Sequence, residues 1–364
     1  MLRRLAELRG PAVPPRPLDA RALAALAANP GCRRRALLDG AGVDKGALAQ
    51  ALGAPAAFGR SQFAFVRGHA FESRVKADGG AELVRLLSEQ LGHKPPEPDE
   101  VDVPELTAAG PEGRTARTAL ALRQATGAGR WALLDHPMLA LTIAGTPAYL
   151  EPDAVVVGPD GGWTVVEIKS FAMIDGAADA AKVGAAARQA AVYALALRGV
   201  ADRLAAGRVS EQALLVCPKD FSNLPTAALI DLRKPLATTR RQLSRLVRVE
   251  EIAAGLPEGV CFDPDRPAAE LAAAVAAVPA AYAPDCLAGC ELAFHCRERA
   301  RQAGLVERLG RSVRAELGGL ATVESVLAAA GGDGGDPDDP AVAALRRAAA
   351  LRAEALGREA APCR

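Results

Sequence analysis

The sequence predicts an α/β fold in which a mixed central sheet is flanked by helices, with helical extensions at both ends. Three features predict it. Two β-branched runs, Ala-Val-Val-Val at 154–157 and Trp-Thr-Val-Val-Glu-Ile at 163–168, flank a Gly/Pro/Asp cluster at 158–162, the pattern of a β-hairpin. An Ala-rich stretch over 177–198 has helical composition, and the run Ala-Leu-Leu-Val-Cys at 213–217 reads as a strand, with another near 227–232. Strand, helix, strand predicts a parallel pair joined by a right-handed crossover. A hairpin plus a parallel pair makes the sheet mixed.

On either side the apolar spacing is helical. Residues 19–53 read as two helices, one starting near Asp19 and one from Asp44 to Leu52, with Gly31 and Cys32 between them. From Ser61 to Leu91, the positions Phe63, Val66, Ala70, Val75, Leu83 and Leu87 recur at roughly helical spacing, broken at Gly79 and Gly80. The chain turns helical again after Arg233. Two helical stretches around 317–320 read as a helical pair or as a helix-hairpin-helix DNA-contact unit. The Gly/Asp-rich segment 331–339 reads as a flexible linker before a last helix from Pro340 to about Ala360. The expected organisation is therefore an N-terminal helical segment (1–60), a core (61–235), a helical region with a cysteine cluster (236–330), the linker (331–339) and a C-terminal helix (340–364).

The chain has 364 residues, half of them hydrophobic, ample for a buried core. No stretch reaches the ~18 uninterrupted apolar residues of a membrane span, and the N-terminus lacks the apolar centre of a secretory signal, so a soluble cytoplasmic protein is expected. Formal net charge is +1, so nucleic-acid binding has to rest on local patches. Candidates are Arg33, Arg34 and Arg35, and the series Arg233, Lys234, Arg240, Arg241, Arg245 and Arg248, each of which also reads as a solvated helix face. Seven cysteines in such a chain point to metal or cofactor ligation wherever they cluster.

The chemistry-bearing pattern lies in the hairpin. Pro152-Asp153 enters its first strand and Glu167-Ile168-Lys169 ends its second, so folding brings the two ends together. Two carboxylates suit a hard divalent cation such as Mg²⁺ or Mn²⁺, which activates water and neutralises charge during phosphodiester hydrolysis. Strand alternation puts Glu167 and Lys169 on one face, while Ile168 points into the core and offers only its carbonyl. Gln189 and Tyr193, four apart on the following helix, share a stripe facing the carboxylates.

In order and spacing, Pro-Asp, apolar-Glu-Ile-Lys and Gln-x-x-x-Tyr resemble the RecB-like branch of the PD-(D/E)XK nucleases over residues 61 to about 232. The resemblance implies a restriction-endonuclease-like core and a metal-dependent DNA nuclease acting exonucleolytically on single strands or free ends, in repair, recombination or defence. It also implies an upstream helical ligand. Arg67-Gly68-His69-Ala70-Phe71-Glu72 looks like that element, leaving His69 and Glu72 both as candidates beside Asp153, Glu167 and the Ile168 carbonyl. The competing reading is a catalytically weak nucleic-acid-binding module inside a larger protein complex.

Cys286, Cys290 and Cys296 lie within 11 residues, and Cys32 stands apart near the N-terminus. Four thiolates suit tetrahedral zinc or a [4Fe-4S] cluster, and spacing alone does not separate them. The chain is similar here to iron-sulfur-bearing RecB-like nucleases, including CRISPR-associated and AddB-type enzymes, in which one N-terminal and three C-terminal cysteines staple the core. That similarity implies a structural [4Fe-4S] centre, although the gap between Cys286 and Cys290 holds three residues where two is more usual.

Overall fold

The computed structural model describes residues 2–29, 31–56, 62–143, 146–220, 222–244 and 249–359. Eight strands are described: β1 (Ala132–Asp135), β2 (Leu139–Ile143), β3 (Thr146–Leu150), β4 (Ala154–Val157), β5 (Gly162–Ile168), β6 (Arg208–Val209), β7 (Gln212–Pro218) and β8 (Pro225–Asp231). The helices that precede and cross the sheet are α1 (Leu2–Arg9), α2 (Ala20–Ala28), α3 (Arg33–Gly40), α4 (Lys45–Ala51), α5 (Gln62–Val75), α6 (Ala81–Gln90), α7 (Gly110–Ala128) and α8 (Ala180–Leu204). After the sheet come α9 (Arg233–Leu243), α10 (Val249–Ala254), α11 (Ala268–Ala276), α12 (Ala293–Gln302), α13 (Arg311–Glu316), α14 (Val323–Gly331) and α15 (Pro340–Glu359).

The main sheet runs β1-β4-β5-β7-β8, with β6 also on β5. β1/β4, β4/β5 and β7/β8 are antiparallel, while β5 pairs parallel with β6 and β7. The sheet is therefore mixed, and α8 is the crossover between its parallel strands. A second hairpin, β2-β3, stands apart from it. Residues 92–149 hold α7, β1 and this hairpin, elements without a clear sequence signal.

Alternation assigns the two faces. Val155, Val157, Trp163 and Val165 pack toward α8 and α2, in one core with Leu122 and Ala125 of α7. Val156, Val166, Ile168, Leu214 and Val216 pack on the opposite face, against Phe71 of α5 and Leu83 and Leu87 of α6. The expected break between α5 and α6 is real: Gly80 has φ +75° and lies so close to Leu133 that a Cβ would collide with its side chain.

Asp19 and Asp44 cap helices as expected, accepting from the backbone N–H of Ala22 (2.6 Å) and of Ala47 (3.0 Å). A third helix, α3, lies between them. The N-terminal segment does not stand alone: Leu8, Leu37, Leu38 and Leu48 share a third core with Phe262, Leu271, Val275 and Leu292. The N-terminal helices and residues 253–292 thus build one apolar unit. Over the expected linker, the Arg346 guanidinium donates to the carbonyls of Ala329 and Gly334 (both 3.3 Å), tying α15 back to α14. The stretch expected as a helical pair holds α13 and α14. Among the described residues no helix is long and apolar enough to cross a membrane.

Candidate functional site

Asp153 and Glu167 lie just beyond the last paired residues of β4 and β5, Ala154 and Val166. Asp153, just ahead of β4, turns its Oδ2 to the main-chain N–H of Ile168 at 2.6 Å. Lys169 Nζ forms an ion pair with Glu167 Oε2 and lies 3.6 Å from Asp153 Oδ2. Lys169 therefore contacts both carboxylates predicted from the motif. By strand parity they share the face covered by α8, whereas Ile168 is part of the opposite core.

Glu167 is 0 % exposed, and its Oε1 has no hydrogen-bond partner. Burial pushes its carboxyl up to about 7; the Lys169 ammonium opposes that rise and the charge of Asp153 adds to it. Burial alone would lower the Lys169 ammonium, but Glu167 and Asp153 outweigh it and hold the group above its ordinary value. From α8, Gln189 Nε2 donates to the Tyr193 hydroxyl at 3.1 Å, and that hydroxyl donates to the Glu151 carbonyl at 3.1 Å. Burial first, and then the charge of Glu167, push the Tyr193 phenol up, so it stays a protonated donor at neutral pH. Tyr193 braces the turn that carries Asp153.

The upstream helix behaves differently for its two candidates. His69 is exposed on α5. Near it, Arg67 Nη2 donates to the Ser170 carbonyl at 3.2 Å, which docks this end of α5 beside Lys169. Glu72 is half-buried and engaged: its Oε1 accepts from Lys76 Nζ at 2.6 Å and lies 3.1 Å from His136 Nε2. The His136 hydrogen bond and the Lys76 charge, acting against burial, hold the Glu72 carboxyl down to about 2.

Lys76 also reaches Asp135 at 2.7 Å, and the His136 main-chain N–H reaches the Asp153 carbonyl at 3.4 Å. Arg114 pairs with Glu151 at 2.9 Å. None of Lys76, Arg114, Asp135, His136 and Glu151 is a site candidate by sequence pattern. The available signal was Asp135-His136-Pro137 directly after the apolar run Ala-Leu-Leu, a polar strand end followed by a chain turn.

The four candidate cysteines lie in one region: Cys32, Cys286 and Cys290 line one cavity, and Cys296 feels the charge of Cys32 and Cys286. Cys32 caps α3, its Sγ accepting from Arg35 N–H at 3.5 Å. Cys286 lies in the short helical turn Pro284–Ala288, and Cys296 in the first turn of α12. Burial pushes the Cys290 thiol up to about 12 against the pull of Arg35, and pushes the Cys296 thiol up, with Arg34 opposing and Cys32 and Cys286 adding to the rise. Cys217 and Cys261 are buried singly, and Cys363 lies outside the described residues.

A cavity of about 450 Å³ joins the two groups: Lys169 and Gln189 line one part, Cys32, Cys286 and Cys290 another. Arg21, Lys182 and Arg188 line it too, against Asp285 as its carboxylate.

Among the described residues, no three His, Cys, Asp or Glu side chains converge, as they stand, into a ready-made metal site. The carboxylate pair nevertheless suits a divalent cation, because the buried Glu167 Oε1 lacks any donor and the set is all oxygen. The cysteine set suits zinc or iron by donor chemistry, four soft sulfurs, of which Cys290 and Cys296 pack against the third apolar core. No family model, curated protein or solved structure matches this chain.

Proposed function

We propose that this protein is a divalent-metal-dependent DNA nuclease with a restriction-endonuclease-like core of the PD-(D/E)XK type, acting on single strands or free ends. The observation that carries the reading is the contact of Lys169 with both Asp153 and Glu167 at the end of the β4/β5 strand pair, with a buried carboxylate oxygen left unsatisfied. Asp153, Glu167 and the Ile168 carbonyl would hold Mg²⁺ or Mn²⁺, and Glu72 is the candidate to complete the set from α5. The cation supplies neutralisation of phosphate charge and a lowered pKa for water.

The protein's own groups supply the rest. Lys169, held protonated between two carboxylates, is the fixed positive charge for the anion that develops at phosphorus. Tyr193 and Gln189 fix the Glu151 carbonyl and so the position of Asp153. The adjoining cavity lies in the size range of small-ligand sites and carries cations, which suits a strand end. In this reading Cys32, Cys286, Cys290 and Cys296 hold a structural [4Fe-4S] centre or zinc, and the protein works in the cytoplasm, alone or with protein partners.

The test is cleavage of end-labelled single- and double-stranded DNA with Mg²⁺, Mn²⁺ or EDTA, comparing the protein with Asp153→Ala and Lys169→Ala. Metal-dependent cleavage lost in both variants supports the reading. DNA binding without cleavage by the unaltered protein would instead favour a catalytically weak binding module. Neither binding nor cleavage overturns both.

A further inference from the structure

Arg33, Arg34 and Arg35 look from sequence like a basic patch, yet only Arg33 is exposed; Arg34 is 8 % and Arg35 3 % exposed. A buried guanidinium costs several kcal/mol unless an anion compensates it. Arg35 has its anions, Asp39 at 2.5 Å and Glu291 at 2.6 Å. Arg34 does not. Its Nε donates to the Val278 carbonyl at 3.0 Å and its Nη1 to Cys296 Sγ at 3.3 Å, and among the described residues no carboxylate pairs with it. Its charge therefore faces sulfur.

The same pattern recurs nearby. Asn29 Nδ2 donates to Cys286 Sγ at 3.3 Å, and the Arg35 main-chain N–H points at Cys32 Sγ. Cys286 and Cys296, from the far side of the sequence, and Cys32 itself thus each receive an N–H from residues 29–35. A neutral thiol is a weak acceptor, whereas a thiolate bound to metal is a good one and carries the missing negative charge.

We infer that Arg34 is the counter-charge of an anionic thiolate centre formed by Cys32, Cys286, Cys290 and Cys296, and sets how tightly that centre holds its metal. This rests on the cysteine-centre reading above. A tetrathiolate site keeps net negative charge after binding zinc or an iron-sulfur core, so a buried cation beside it favours the loaded state. Arg34 acts as a positioning and charge-balancing residue rather than as a ligand.

The test uses full-length, metal-free protein in an Asp153→Ala background, titrated with Zn²⁺ against a chromophoric chelator. Arg34→Gln is expected to weaken Zn²⁺ binding 10- to 100-fold, the usual effect of losing a group just outside the ligands. Arg34→Lys is expected to recover most of the affinity, and Arg33→Gln to change nothing. If Arg34→Gln fails to fold, the same comparison is made between Cys296→Ser and the Cys296→Ser/Arg34→Gln double variant, where removal of the thiolate should also relieve the need for its counter-charge. Zn²⁺ binding as tight in Arg34→Gln as in the parent, or an Arg34→Lys protein as weak as Arg34→Gln, overturns the inference and leaves the cysteine centre standing. No thiol-dependent Zn²⁺ binding in the parent overturns the cysteine centre and the inference together.

Discussion

Asp153 Oδ2 accepts the main-chain N–H of Ile168 at 2.6 Å, so one carboxylate of the candidate site is fixed to the strand that carries the other. Asp153 is thereby both a ligand candidate and a structural tie across the open end of the hairpin. Its two roles separate by substitution. Asp153→Asn keeps an oxygen acceptor for Ile168 and should hold stability within about 1 kcal/mol, whereas Asp153→Ala leaves that N–H without a partner and should cost about 1–3 kcal/mol. Both variants should lose metal-dependent cleavage by roughly 100-fold or more. Urea unfolding and a single-turnover assay on labelled DNA measure the two effects. Equal stability in both variants would show that the tie does not matter.

The buried Glu167 predicts a pH slope of opposite sign to that of a carboxylate held down by a cation. Its carboxyl is raised from 4.5 to about 7, so the folded state holds the proton more tightly than the unfolded chain does. Stability from the protonated form is present below pH 4.5 and fades as pH rises to 7, by up to about 3 kcal/mol. Metal-free protein should therefore weaken over that interval, and Glu167→Gln should remove the loss. Saturating Mg²⁺ should flatten the slope in the unaltered protein, because binding to the folded state offsets the ionised carboxylate. Denaturation in EDTA at several pH values reads this directly. Identical slopes in parent and variant would exclude Glu167 as the source.

Glu72 predicts the reverse. His136 and Lys76 hold its carboxyl at about 2, so its contribution is present above pH 4.5 and lost as pH falls toward 2. In Glu72→Gln, His136 loses the partner that raises its imidazole, and its ring-proton NMR titration should move to lower pH. The same variant decides whether Glu72 serves the metal. If it does, Mn²⁺ affinity falls with it. Unchanged affinity would confine Glu72 to bracing His136 and Lys76 behind Asp153.

What could be read from sequence follows from how local each signal is. The β4-β5 hairpin, the α8 crossover and the meeting of Asp153, Glu167 and Lys169 follow from strand period and a short turn, and all three are present in the fold. The contacts of Glu72 could not be read, because His136 and Asp135 lie some sixty residues downstream of α5 and meet it only through β1. The arginine run at 33–35 was misleading for a related reason. Composition marks it as a surface patch, and only the packing of α3 against the C-terminal segment buries Arg34 and Arg35. Arg245 and Arg248 lie outside the described residues, while Arg240 and Arg241 are exposed on α9.

Lys182 and Arg188 line the cavity that opens beside Lys169 and Gln189, and Lys182 also lies over the Phe171 ring at 5.8 Å. Arg240 and Arg241 belong to a different surface; Arg240 lines a separate cavity with Arg198 and Arg233. If the strand enters beside the carboxylates, only the first pair meets its phosphates. In a Glu167→Ala background, which binds without cutting, Lys182→Glu/Arg188→Glu should weaken single-stranded DNA binding at least tenfold at low salt. It should also lower the slope of log affinity against log salt by about 1.4, at roughly 0.7 per lost phosphate contact. Arg240→Glu/Arg241→Glu should leave that slope unchanged, because screened charges at a distance contribute little at physiological ionic strength. Fluorescence anisotropy over a salt series separates the two. A larger loss in the α9 variant than in the α8 variant would move the strand off the cavity and onto the Arg233–Leu243 helix.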